Sequence, residues 1–413
     1  GAARRRSAGA AAVAARGRTS ATSLKVNPDE FVGVCEQTGV TLNRYMIEAT
    51  KGQIIDEDIQ SIFNSIREAT KVISKLVNRA PLSQAELLGL QGEINVQGED
   101  QKKLDVITND VLKKALQYTG KLGTLASEEE DAPVSGVTRT DEGEVTSFGD
   151  PVLADTGKYV CVFDPLDGSS NVDAGIAVGT IFGIFKEVDS DVCELPDAGD
   201  LSEEQVNCLA ATLQPGKALV AAGYVLYSCS TELVFTIGRG CVGFTLDQSI
   251  GEYVLTRPNM QIPKRGSIYS MNEANIDGWD APLRDYVQAI QAGKGQTGKK
   301  YSLRYIGSMV GDVHRTLLYG GIFAYPADKK NVNGKLRLLY EAAPMSFIVE
   351  QAGGMAITGH SRVMDIPPVA VHQRVPVILG STEDVQECKD YFDKCNDPKL
   401  KERCENRLKG VAA

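Results

Sequence analysis

The chain has 413 residues, with 54 Asp plus Glu against 44 Lys plus Arg, a formal net charge of -10, and 42% hydrophobic positions. That apolar fraction excludes a wholly disordered chain, and the acidic balance argues against a general nucleic-acid binder, which needs a basic field. The length suffices for two packed domains or three small ones, and no apolar run approaches the roughly 20 residues that span a bilayer.

Residues 1–28 carry six basic residues, from Arg4 to Lys25, and no acid; the first carboxylate is Asp29. An Arg-, Ser- and Ala-rich start without an apolar core reads as an organelle transit peptide or a disordered tail. Apolar residues at Ile59, Ile62, Phe63, Ile66, Ile73 and Leu76 have helical spacing over Asp58 to Val77. A second helix is marked by Leu104, Ile107, Val111, Ala115 and Leu116 and ends near Gly120. Strands are expected at Tyr159 to Phe163, Val178 to Phe185, Ala218 to Leu226, Leu233 to Ile237, Gly243 to Asp247 and Tyr253 to Thr256. Between two of them lies an acidic, loop-like insertion, Glu187 to Gly216, carrying Cys193 and Cys208. Beyond residue 258 helices and strands alternate, Asp384 to Lys394 reads as helix, and the last 15 or so residues read as a polar, frayed end.

The stretch richest in chemistry is Phe163-Asp164-Pro165-Leu166-Asp167-Gly168-Ser169-Ser170-Asn171. An apolar strand ends in two carboxylates that can converge on a hard cation. Pro165 stiffens the backbone, and Gly168 permits a positive φ. Ser169, Ser170 and the amides that follow suit a phosphate. Three more carboxylate positions accompany it: Glu128-Glu129 after a short apolar run, Asp105 at the start of a helix, and Glu341 closing Lys335-Leu336-Arg337-Leu338-Leu339-Tyr340-Glu341. Lys335 and Arg337 alternate, as a phosphate clamp on one strand face would. The three His, at 314, 360 and 372, form no compact zinc motif, so oxygen ligands favour Mg²⁺ or Mn²⁺ and metal-assisted phosphoryl hydrolysis. The Cys count is nine, an odd number, which excludes complete pairing within the chain and fits a reduced or redox-switched compartment.

With these motifs the sequence resembles the fructose-1,6-bisphosphatase family. The resemblance runs from about residue 27 to 394 and includes Lys102–Asp105 (KKLD), Ser127–Glu129 (SEE), Phe163–Asn171, Val178–Phe185, Tyr269–Glu273 (YSMNE), Tyr305–Arg315, Tyr319–Pro326, Gly334–Glu341 and His372–Gly380. It implies an α/β fold, a five-layer α-β-α-β-α sandwich of the sugar phosphatase superfamily. It divides the chain into an N-terminal metal-site and regulatory domain over 29–258, a C-terminal sugar-phosphate domain over 259–395, and a polar tail over 396–413.

The resemblance also implies roles. Glu128, Asp164, Asp167, Glu341 and the carbonyl of Leu166 would bind two to three Mg²⁺ ions. A further carboxylate would come from Gly98-Glu99-Asp100, where Glu99 is taken as the ligand and Asp100 stands beside it. Asp105 and Glu129 would orient and deprotonate the attacking water. Gly168, Ser169 and Ser170 would hold the 1-phosphate. Asn272, Tyr305, Tyr325 and Lys335 would hold the 6-phosphate, with Arg304 from a neighbouring subunit of a homotetramer; Arg337 is taken as a further substrate-binding residue, and Met309 would pack on the sugar.

The insertion resembles the thioredoxin-regulated loop of the chloroplast members. The plant form has a third cysteine where this chain has Leu213, and the resemblance pairs Cys193 with Cys208. The implied protein is a redox-activated stromal enzyme acting on fructose 1,6-bisphosphate in the Calvin cycle and in starch and sugar synthesis. Where animal members bind AMP, this chain has Asp56-Glu57-Asp58, whose charges would repel a nucleotide phosphate. The competing readings are sedoheptulose-1,7-bisphosphatase, which shares the DPLDGSS motif, and an inactive regulatory protein, which would need at least one lost carboxylate.

Overall fold

The computed structural model describes residues 39–82, 90–94, 100–135, 157–187 and 203–409. Two long helices open it. Helix α1 (Leu42–Lys51) is capped by Thr41, and α2 (Glu57–Arg79) by Asp56, whose carboxylate accepts from Ile59 N–H at 2.9 Å. The ribbon of β1 (Leu90–Ile94) and β2 (Asp100–Lys102) leads into α3 (Lys103–Gln117).

The main sheet has eight strands. They are β3 (Leu122–Ser127), β4 (Val134–Ser135), β5 (Tyr159–Asp167), β6 (Val178–Lys186), β7 (Leu219–Tyr227), β8 (Thr231–Thr236), β9 (Val242–Asp247) and β10 (Glu252–Arg257), in the spatial order β10-β9-β8-β7-β6-β5-β3-β4. Strands β5 to β10 form an antiparallel meander, and β3 adds in parallel to β5. Every residue of β5 is buried, as a central strand covered on both faces requires. Helix α4 (Glu203–Thr212) precedes β7.

The second sheet has five strands. It comprises β11 (Ile268–Ser270), β12 (Ser302–Leu303), β13 (Ile322–Tyr325), β15 (Met355–Ile357) and β17 (Val377–Gly380), ordered β12-β11-β13-β17-β15, with a separate ribbon of β14 (Leu336–Arg337) and β16 (Arg374–Val375). Its helices are α5 (Ala281–Ala292), α6 (Met309–Tyr319), α7 (Ala343–Gln351), α8 (Thr382–Lys394) and α9 (Pro398–Leu408).

Three apolar cores cement five layers. Ile62, Phe63 and Ile66 of α2 and Leu112 of α3 pack on Phe182 and Phe235 of the large sheet. Val310 and Val313 of α6 and Met345 and Ile348 of α7 fill the space between the sheets. Leu283 of α5 and Val385 of α8 cover the outer face of the small sheet. The order is therefore α-β-α-β-α, the layering expected from the resemblance.

Three expectations are corrected. The insertion is not loop throughout, because its second half is helix α4. Lys335 and Arg337 do not share a strand face, because β14 has two residues and passes directly into one π-helical turn, Leu338–Ala342. The polar end is not frayed: residues 398–408 are helix α9, with Leu400, Cys404 and Arg407 buried at i, i+4, i+7 spacing. Residues 1–28, Glu99 and Cys193 lie outside the described residues.

Candidate active site

The site forms where β3 and β5 run out side by side. Phe163 C=O accepts from Glu128 N–H at 3.1 Å, which sets Glu128 beside the end of β5. Asp164 Oδ1 accepts from Leu166 N–H at 2.9 Å, folding the Asp-Pro-Leu-Asp segment back on itself. Thr180 Oγ1 of β6 donates to Pro165 C=O at 2.8 Å, and the pairing of β5 with β6 shifts between Asp164 and Asp167. This bulge turns both carboxylates to one side, as bulges beside sites do. Gly168 follows at φ 75°, a left-handed value that favours Gly, and opens the turn Ser169–Ala174.

Asp164, Asp167 and Glu341 offer carboxylate oxygens that all lie within 4.8 Å of one another, and all three side chains are buried. The donor set is entirely oxygen and matches a hard divalent cation rather than zinc or copper. Arg337 is the buried counter-cation. Its Nη2 lies 2.7 Å from Glu128 Oε1, its Nη1 lies 3.7 Å from Glu341, and its own N–H donates to Glu341 Oε2 at 2.5 Å.

The electrostatics follow from burial. Asp164 is raised well above the usual carboxylate range by burial and then by Glu128, Asp167 and Glu341. Asp167 is pushed up to about 7, first by burial, with the Val310 N–H opposing. Glu341 is pushed up to about 8 by burial, with Arg337 opposing. Asp105 is pushed up to about 6 by burial, against hydrogen bonds from Lys102 N–H and Ser169. Like charges packed this closely cannot all ionise without a cation.

These groups line one side of a cleft of about 440 Å³. Glu129, Leu166, Gly168, Ser169 and Ser170 share that wall, and Tyr305, Met309, Tyr325 and Lys335 face it from the small-sheet side. Lys335 Nζ sits 5.9 Å over the Tyr325 ring. Asn272 lies in an adjoining hollow with Tyr305 and Tyr325, and caps the turn Glu273–Gly278. Arg304 is exposed, its Nη1 donating to Leu303 C=O, and does not line this cleft. Arg337 reaches the cleft from below, among the carboxylates.

Two supporting residues escape a reading by motif. Asp312 accepts from the N–H groups of Ile306 and Gly307 at 3.0 Å each and from Ser270 Oγ at 2.7 Å, which shapes the loop holding Tyr305. His372 contacts Tyr340 OH at 2.7 Å and Glu130 C=O at 3.0 Å, so it joins the turn after Glu129 to the residue before Glu341. Their signal is their place inside quoted motifs, but the contacts of Asp312 with Ser270 and of His372 with Glu130 cross 42 and 242 residues of chain, and no local spacing reveals them.

Family models decide the lineage. The model described as fructose-1-6-bisphosphatase, N-terminal domain, matches residues 40–258, and the C-terminal domain model matches residues 262–393. The chain belongs to the fructose-1,6-bisphosphatase family. It is 50% identical over 359 residues to the chloroplastic fructose-1,6-bisphosphatase of Pisum sativum, covering 86% of this chain and 83% of the relative. It is 48% identical over 354 residues to the cytosolic enzyme of Oryza coarctata, covering 86% of this chain and 94% of that one. The holo crystal structure of Leishmania major fructose-1,6-bisphosphatase superposes with a TM-score of 0.74 at 39% identity, covering 86% of this chain and all of that one. The chain is thus a phosphatase of carbohydrate metabolism, from a family that uses divalent metal ions.

The raised carboxylates fix a pH dependence. In the metal-free fold Asp167 and Glu341 keep protons that an unfolded chain releases near pH 4, so the folded state binds more protons between about pH 4 and 8. Stability therefore falls as pH rises through that window. Thermal unfolding in EDTA should show a melting temperature that drops from pH 5 to pH 8, with saturating Mg²⁺ or the double substitution Asp167→Asn, Glu341→Gln flattening the slope. A melting temperature that climbs over the same range would contradict this.

Proposed function

We propose that the enzyme hydrolyses the 1-phosphate of fructose 1,6-bisphosphate, releasing fructose 6-phosphate and phosphate. The observation that carries this reading is the single cleft with buried carboxylates at one end and Lys335, Tyr305 and Tyr325 at the other. One phosphate would lie on the Gly168–Ser169 turn, and the other against Lys335.

Glu128, Asp164, Asp167, Glu341 and the Leu166 carbonyl would hold two to three Mg²⁺ ions, with Mn²⁺ as a substitute and Glu99 as a further ligand. Bound there, such ions supply Lewis-acid charge at phosphoryl oxygens and lower the pKa of a coordinated water. Asp105 and Glu129 share the work of a base. Asp105, raised to about 6, is poised near neutrality to accept the water's proton on its carboxylate. Gly168 and Ser169 donate N–H groups to the 1-phosphate, and the Ser169 and Ser170 hydroxyls add to them. Met309, buried at the cleft wall, excludes water beside the sugar. Arg337, in reach of both Glu128 and Glu341, holds the two carboxylates in place. Asn272, Tyr305, Tyr325 and Lys335 hold the 6-phosphate, and Arg304, turned to solvent, serves the site of a neighbour in a homotetramer.

The acidic nucleotide-site position is internally satisfied. Tyr159 OH donates to Asp56 at 2.7 Å, and Asp58 pairs with Lys121 at 2.9 Å and Lys158 at 3.1 Å. The residues that would face AMP are therefore occupied, which supports AMP insensitivity.

The enzyme works in the chloroplast stroma, in the Calvin cycle and in starch and sugar synthesis, with thioredoxin reducing a Cys193–Cys208 bridge. The chloroplastic relatives and the acidic insertion support this. A bridge closing a 15-residue loop is worth about 3 kcal/mol of chain entropy, enough to bias a strand that runs back to the site.

Two assays test the reading. Phosphate release from fructose 1,6-bisphosphate should require Mg²⁺, exceed release from sedoheptulose 1,7-bisphosphate, and fall by about 10²–10⁴-fold in Asp105→Asn; absence of release would refute it. Oxidised wild type should be activated several-fold by reductant, whereas Cys193→Ser should be fully active without it. If reductant still activates that variant, the switch lies elsewhere.

A further inference from the structure

The family match ends at residue 393, and helix α9 begins at Pro398, beyond it. The helix is nonetheless firmly seated. Asp397 caps it, and Leu400 and Cys404 enter the core formed by Trp279 and Leu283. Two of its arginines then make contacts of a different kind. Arg403 Nη2 pairs with Asp280 at 2.8 Å, and buried Arg407 donates from Nη2 to the Val332 carbonyl at 3.0 Å. Among the described residues no carboxylate lies within ion-pair distance of Arg407, and its guanidinium meets the Val332 carbonyl and, on its own helix, Cys404.

Both targets lie in segments whose other residues line the distal end of the cleft and its adjoining hollow. Asp280 closes the segment that starts at Asn272 and runs through the turn Glu273–Gly278. Val332 sits in the loop that delivers Lys335. That loop is folded on itself by Asn331 N–H on Asp328 and Gly334 N–H on Asn331 C=O at 2.9 Å. Lys329 N–H donates to Gly278 C=O at 3.1 Å and ties the two strips of backbone together. Asp328 and Trp279 line the same small hollow as Asn272 and Tyr325.

We infer that helix α9 is a brace for the distal phosphate subsite, with Arg407 as its positioning residue: by fixing the Val332 carbonyl it sets where Lys335 stands relative to Asn272. The inference rests on the proposed bisphosphate reading. Arg407 touches no substrate. It acts on binding of the phosphate that stays on the sugar, and leaves the carboxylate end, where the other phosphate is cleaved, unchanged.

The test uses the full chain with Mg²⁺ and compares wild type, Arg407→Met and Arg407→Lys. Losing one hydrogen bond to the loop should raise KM for fructose 1,6-bisphosphate roughly 3- to 10-fold with kcat within about twofold. Calorimetry should show fructose 6-phosphate weakened by the same factor and inorganic phosphate unaffected. Arg407→Lys, which can still donate to one carbonyl, should stay close to wild type. An unchanged KM and fructose 6-phosphate affinity in Arg407→Met would overturn the brace. So would equal weakening of fructose 6-phosphate and inorganic phosphate, which would make α9 a general stabiliser. The calorimetric comparison needs no turnover, so a wild type that binds fructose 6-phosphate but releases no phosphate counts against the proposed function alone.

Discussion

Burying several carboxylates at the ends of two neighbouring strands is the constraint on which the rest depends. An ionised carboxylate taken out of water costs several kcal/mol unless it is paired. Here Asp164, Asp167 and Glu341 lie within 4.8 Å of one another, and Arg337 pairs with Glu128 and Glu341. One guanidinium cannot neutralise four acids. The protein meets the imbalance by raising Asp164, Asp167 and Glu341 toward their neutral forms, and it leaves a site that cations would relieve.

The architecture serves to hold that unfavourable arrangement. A fully buried central strand cannot move to separate its charges, because Thr180 of β6 pins Pro165 and the Phe163 C=O of β5 itself holds Glu128 at the end of β3. The π-helical turn that carries Glu341 is anchored through Tyr340 and His372 to the turn after Glu129. Wider turns of this kind cost helical regularity and are found where side chains must be re-aimed at a site. The middle helix layer contributes twice. Met309 of α6 lines the cleft, and the Val310 N–H is aimed at Asp167 at 3.3 Å.

The ligand strand was legible in the sequence because its chemistry is local: two Asp, a Pro, a Gly and two Ser within seven residues after an apolar run. The large-sheet strands and helix α2 were legible by periodicity. Arg337 was not, since its alternation with Lys335 suggested a shared face, while the chain turns into a π-helical turn directly after it. Asp312 and His372 were hidden because each joins segments far apart in sequence. Helix α9 could have been read: Asp397 and Pro398 are a cap and a first helical residue, and Leu400, Cys404 and Arg407 repeat at helical spacing. Its many charges concealed that narrow buried stripe, and one of the stripe's members is itself an arginine.

The central claim is that the fold keeps protons on these carboxylates until cations replace them. It is tested most directly by counting protons released when Mg²⁺ is added to the metal-free enzyme in weakly buffered solution at pH 7. With Asp167 raised to about 7 and Glu341 to about 8, binding should expel protons, and the release should fade as the starting pH is taken above 8. Mg²⁺ binding that releases no protons at pH 7 would contradict the account.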